Sequence, residues 1–173
     1  LRNKLTEALS LKDHDKASKI VSTSYFLISF FALTIFLIGV IIIVFSDFQS
    51  ILNYKGSTNS YLQSFILLSL FFTVLNFILS LYKKLYLAIH KSYIIELVNL
   101  IFQIIYLVLI LSWVYLDFSK SLINLIIIYG VINLIVSVAA SIIFFKIKKK
   151  IPFSYKNFSL KEAKALFSLG GKF

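Results

Sequence analysis

The chain has 173 residues, of which 60% are hydrophobic and only 14% charged, with a net charge of +11. A water-soluble domain of this length cannot bury so much apolar side chain and keep a wetted surface, so a purely aqueous fold is excluded. There is no Cys, one Pro and five Gly, which removes disulfide and thiolate-metal chemistry and permits long helices.

The opening segment, LRNKLTEALS, is basic and amphipathic. Leu1, Leu5, Ala8 and Leu9 share one helical face while Arg2, Lys4 and Glu7 look elsewhere. Ser10 and Asp13 are candidate caps for a second helix that rises into the first apolar run. No apolar h-region of a signal peptide is present in the first twenty residues.

Four apolar runs follow, at Ser24–Phe45, Tyr61–Tyr82, Ser92–Leu116 and Leu122–Phe145. Each has the roughly 20 residues that a helix needs to cross ~30 Å of hydrocarbon. Inside lipid every backbone group must be satisfied within the segment, so unbroken runs of this length are helices. The expected fold is an all-α integral membrane protein. Lys83 and Lys84 lie where they snorkel, so the second helix is expected to run on to about Lys91. KGSTNS marks a turn after the first span, and the short link from Leu116 to Leu122 makes the third and fourth spans an antiparallel hairpin.

The basic residues alternate along this pattern. Arg2, Lys4, Lys12, Lys16 and Lys19 precede the first span; Lys55 alone follows it. Lys83, Lys84 and Lys91 lie in the second link, and Lys120 alone in the third. The remaining eight follow the fourth span. The positive-inside rule then places both ends and the middle link in the cytoplasm, with Asp47, Asp117, Trp113, Tyr115 and Tyr61 at the outer side. With charge explained by topology, nucleic acid is not an expected partner. After KIKKKIP, where Pro152 breaks the helix, Ser159 and Glu162 form a capping-box pattern. Leu160, Ala163, Leu166 and Phe167 then give an amphipathic helix expected to lie along the membrane.

Polar residues recur at helical period inside three spans: Ser69, Thr73, Asn76 and Ser80 in the second; Glu96, Asn99, Gln103 and Tyr106 in the third; Gly130, Asn133, Ser137 and Ser141 in the fourth. The first span offers only Ser29, Thr34 and Gly39. Two readings stand: the stripes glue helix to helix, or they line a hydrophilic cavity. Glu96, the one charge within a span, is either an ion-coupling site or a partner for a nearby Lys such as Lys91. No phosphate loop, HExxH, paired acids or nucleophile elbow is present, so neither enzyme activity nor a cofactor is expected. His14, in LKDHDK, and His90 are read as solvated.

LRNKLTEALS with KIVSTSYF, LYLAIHKSY, and FSLKEAKALFSLGGKF together resemble stretches of bacterial polysaccharide transporters. These are the O-antigen and capsule flippases, the Wzx-like branch of the multidrug/oligosaccharidyl-lipid/polysaccharide (MOP) superfamily. The resemblance implies that the four spans are equivalent to helices three to six of about twelve. Residues 1–151 would then belong to the N-terminal lobe, and residues 152–173 to a cytoplasmic inter-lobe helix and the start of the next span. The absence of Met and the ending on FSLGGKF fit the expectation of an internal fragment. The implied function is movement of a polyprenyl-pyrophosphate-linked oligosaccharide across the bacterial inner membrane by alternating access. H+ or Na+ would be the coupling ion, with polysaccharide polymerase machinery and membrane lipid as partners. Asn76, Asn99, Gln103, Asn133 and Ser137 are the candidates for sugar contacts, because amides and hydroxyls both donate and accept. The rival readings are a MATE-like drug or metabolite exporter and a four-helix membrane scaffold without transport.

Overall fold

The computed structural model describes residues 1–53, 58–115, 121–147 and 157–170. In chain order these form α1 (Arg2–Ser10), α2 (His14–Phe45), α3 (Phe48–Ile51), α4 (Asn59–Leu79), α5 (Leu81–Ala88), α6 (Ser92–Tyr115), α7 (Leu122–Ile147) and α8 (Leu160–Gly170). No strand occurs among the described residues. Four helical stretches, beginning at His14, Asn59, Ser92 and Leu122, are long and apolar enough to cross a membrane. The chain is therefore an all-α, multi-pass membrane protein, as its composition requires. The Lys-rich tail around Pro152, the KGSTNS turn, the link after Tyr115 and the approach to Phe173 fall wholly or partly outside the described residues.

The spans stand in a row. α4 packs on α2 at one side and on α7 at the other, and α6 flanks α7 at the far edge. The first close approach is at Gly39, where a Cβ would lie 2.5 Å from a Leu70 methyl. The second is at Gly130, where a Cβ would stand 2.2 Å from the Phe72 ring, so only Gly lets α4 and α7 meet at this depth. Phe102 and Tyr106 of α6 both meet Tyr129 of α7 edge-on, at 5.2 and 5.3 Å between centroids. Elsewhere the spans present Leu, Ile and Phe outward, which hydrocarbon accommodates without cost.

Among the described residues the close-packed core lies at the Lys-rich end. Leu5 and Ala8 of α1, Ile20 and Val21 of α2, Tyr82, Leu85 and Tyr86 of α5, and Phe144 of α7 form one buried cluster. The amphipathic face expected of the opening segment is thus real, and it packs under the bundle. Tyr86 meets the Phe144 ring edge-on at 5.2 Å and donates its hydroxyl to the Ala140 carbonyl at 3.2 Å. The Thr6 hydroxyl donates to the Ala88 carbonyl at 3.1 Å, tying α1 to the end of α5.

α1 and α5 end alike. Lys12 and His90 take left-handed backbone angles, with φ of 55° and 56°. Asp13 N–H donates to Ala8 O and Lys12 N–H to Leu9 O; Lys91 N–H donates to Tyr86 O and His90 N–H to Leu87 O. Both are Schellman turns, each made without the usual glycine.

Several boundaries differ from the hydropathy pattern. α2 starts at His14, ten residues before Ser24, capped by Asp13, whose side chain accepts from Lys16 N–H at 2.9 Å. Ser10 does not cap this helix: its hydroxyl donates back to Glu7 O at 2.8 Å. The second span continues past Tyr82 to Ala88, short of Lys91, with a one-residue break at Ser80 between α4 and α5. The third helix is described to Tyr115, since Leu116 lies outside the described residues. His14 is half-buried, and its buried Nδ1 has no hydrogen-bond partner among the described residues, which corrects the solvated reading of this residue. His90 is exposed.

α8 is docked against protein. Asn157 donates to Ser18 Oγ at 2.7 Å, Ser159 N–H donates to Thr23 Oγ1 at 3.0 Å, and Phe158 meets Phe26 at 4.7 Å. Glu162 approaches Lys4 at 3.9 Å and Ala163 is buried, while Leu160 stays exposed. The apolar face read from the sequence is therefore divided between a docked side and an open one.

Candidate functional site: a polar cleft between α4 and α7

α4 and α7 bring two of the three stripes together. Ser69, Thr73 and Asn76 of α4 face Gly130 and Asn133 of α7 across a cleft of about 200 Å³, with Phe72, Ile126 and Tyr129 completing its walls. One water needs only about 10–15 Å³, so the cleft holds several. The Gly130–Phe72 contact fixes the separation of the helices, and the stripe residues flank that contact.

The cleft carries no charge, and its walls set the hydroxyls and amides of Ser69, Thr73, Asn76 and Asn133 among apolar surface. The Ser69 hydroxyl donates to Phe65 O of its own helix at 2.8 Å. Asn133 accepts from the Ser137 hydroxyl at 3.3 Å. Ser137 is buried one turn nearer the Lys-rich end, between Asn133 and the buried core. The side chains of Asn76 and Thr73 form no hydrogen bond with any described residue, so their amide and hydroxyl remain available.

The third stripe borders this cleft without entering it. Tyr106 belongs to the α6 stripe and touches Tyr129, which lines the cleft. Asn99 and Gln103 follow on the same side of α6, Asn99 half-buried and Gln103 exposed. Glu96 is exposed one turn in from the start of α6. Among the described residues the ion pairs are Lys4–Glu162 and Lys16–Glu7, so Glu96 and Lys91 are not joined. Two of the five sugar-contact candidates, Asn76 and Asn133, line the cleft; Ser137 donates to Asn133; Asn99 and Gln103 are not among the lining residues. In the first span, Ser29 lies in an apolar trough on the α2–α4 side and Thr34 donates to Phe30 O of its own helix.

Gln63 was not singled out in the sequence, yet its amide donates to the carbonyls of Ile43, Val44 and Ser46 at 3.1–3.3 Å. These are among the orphan carbonyls at the end of α2, so Gln63 serves as their cap from a neighbouring helix. Its sole sequence signal is an amide in the first turn of an apolar run. Tyr82 and Tyr86 were also passed over, because tyrosines at a span end read as interface anchors and not as buried core residues.

Among the described residues no group of three or more His, Asp or Glu is placed to hold a metal ion. The cleft offers amides and hydroxyls, which suit a neutral, hydroxyl-rich ligand. No family model, no curated protein and no solved structure matches this chain.

Proposed function

We propose that the chain is part of one lobe of a flippase that carries a lipid-linked oligosaccharide across the bacterial inner membrane, with its Lys-rich end in the cytoplasm. The observation that carries this reading is the gathering of the polar residues. The α4 and α7 stripes share one cleft, and the α6 stripe adjoins it through Tyr106 and Tyr129. An amide left bare in hydrocarbon costs several kcal/mol. A face with Asn76, Gln103 and Asn133 therefore calls for water, a polar ligand or another protein surface over it.

In this reading the polyprenyl tail stays in lipid. The sugar hydroxyls exchange water for the amides of Asn76 and Asn133 within the cleft and for Asn99 and Gln103 on α6. Rocking of two lobes alternates access. Glu96 is the proposed site for H+ or Na+, and its freedom from Lys91 supports that role. The same feature is what favours the second reading, a MATE-like exporter of a cationic drug or metabolite.

The test is accumulation of lipid-linked repeat units on the cytoplasmic face of cells that carry substituted forms of the parent transporter. Asn76→Leu with Asn133→Leu is expected to trap the repeat units, and Asn99→Leu with Gln103→Leu to do so less completely. Undiminished transport in both double variants rejects the site. Glu96→Gln that leaves sugar transport intact but abolishes export of a cationic dye selects the exporter.

A further inference from the structure

The face of α4 turned away from the cleft borders a second, different hollow. Between α2 and α4 runs an apolar trough of about 380 Å³, walled by Leu33 and Phe36 of α2 and by Phe71, Leu75 and Ile78 of α4, with Ser29 as its only polar side chain. It occupies the half of the spans nearer the Lys-rich end, between the depth of the Phe36–Phe71 contact and that of Ile78. Phe26, Ser29, Leu33 and Phe36 succeed one another at helical spacing along α2. Phe26 carries Phe158 at 4.7 Å, so the segment leading into α8 stands directly beneath the trough. α8 then presents Leu160, Lys161 and Lys164 outward, all exposed, and Lys19 of α2 is exposed on the turn below.

An apolar trough at hydrocarbon depth, floored by a docked helix with outward lysines, has the shape and charge of a phospholipid site. We propose that one acyl chain of an anionic phospholipid, from the leaflet at the Lys-rich end, lies in the α2–α4 trough. Lys161 and Lys164 hold its phosphate over α8. This site rests on none of the transport reading, since it lies on the opposite side of α4 from the polar cleft. Each lysine engaged near a membrane surface strengthens binding of an anionic headgroup roughly five-fold.

The experiment uses the intact chain in phosphatidylcholine bilayers. Trp113 is replaced by Phe and Phe36 by Trp, so that the single tryptophan sits in the trough. Phosphatidylglycerol with brominated chains is expected to quench it at a mole fraction at least five-fold lower than brominated phosphatidylcholine does. Lys161→Gln with Lys164→Gln should bring the two lipids level, and Val74→Phe, which fills the trough, should abolish the anionic preference with melting unchanged. Equal quenching by both lipids in the unsubstituted background overturns the site. So does a preference that survives the double Gln variant. A polyprenyl phosphate that displaces phosphatidylglycerol at equal or lower mole fraction assigns the trough to cargo and overturns it as a resident-lipid site.

Discussion

The Lys-rich end and the middle of the spans are built on opposite plans. At the Lys-rich end, α1, α5 and parts of α2 and α7 bury Leu5, Ile20, Tyr86 and Phe144 as a soluble protein would, and the Thr6 and Tyr86 hydroxyls find carbonyls. In the middle, neighbouring helices meet along seams such as Gly39–Leu70, Gly130–Phe72, Phe36–Phe71 and the Phe102–Tyr106–Tyr129 ring cluster. Much of the remaining Leu, Ile and Phe surface there faces outward. Water gives the first region a reason to collapse; hydrocarbon gives the second none, because lipid tails are as apolar as the side chains. Stability is thus concentrated where the chain meets water, and the polar cleft opens beside the Gly130–Phe72 seam that holds α4 against α7.

That contrast is open to measurement by SDS-titration unfolding in micelles. Phe144→Ala is expected to cost about 3–5 kcal/mol, the usual penalty for emptying a closed core. Leu107→Ala, on an outward face, should stay within about 0.5 kcal/mol. Equal losses would erase the distinction between the regions. Gly130→Val comes next, at about 1–3 kcal/mol, because the added methyls drive Phe72 out of the α4–α7 seam. Gly39→Ala should cost less, since the Leu70 methyl it meets swings aside. Lys12→Gly and His90→Gly are expected to raise stability by up to about 1 kcal/mol each, by removing a side chain from a left-handed position, in the same micelle titration.

The smallest effect lies at the far end. The Ser50 hydroxyl donates to the Asp47 carboxylate at 2.6 Å, and together with the Ser50 and Gln49 amides it holds the Asp47 pKa below its ordinary value of 3.8. A lowered carboxylate pKa contributes stability that is complete above the ordinary value and is lost as pH falls through the lowered one. The protection of the Phe48–Ile51 amides, measured against the intrinsic exchange rate at each pH, should therefore fall below about pH 4 in the unsubstituted chain. Asp47→Asn should flatten that dependence and leave α4 and α7 unchanged.

Periodicity and hydropathy made the four spans and the three polar stripes legible, because each rests on a repeat that one sequence displays in full. What they could not supply is neighbours. The helical period places Asn99 and Gln103 on one face of α6, but does not tell that α6 stands at the edge of the row while α7 sits inside it. Hydropathy places the first span at Ser24, because it measures affinity for lipid and not helicity. The KASKIVSTS stretch before it is helical and buried through its small hydroxyl residues, packed on protein and not on lipid. The amphipathic pattern of Leu160–Phe167 announced a helix, but the Asn157–Ser18 and Ser159–Thr23 contacts that dock it join residues more than 130 positions apart.

The one-residue break at Ser80 has a mechanical consequence. Below it, α5 is clamped by Tyr82, Leu85 and Tyr86 in the buried cluster; above it, α4 runs for 21 residues with one wall on the apolar trough and the other on the polar cleft. That makes α4 an arm about 32 Å long on a fixed footing. A tilt of ~10° at its base carries the far tip about 5 Å, one full helical turn. Such a sweep would narrow one hollow as it widened the other, and the Gln63 and Tyr61 contacts at the far tip are what it would have to break.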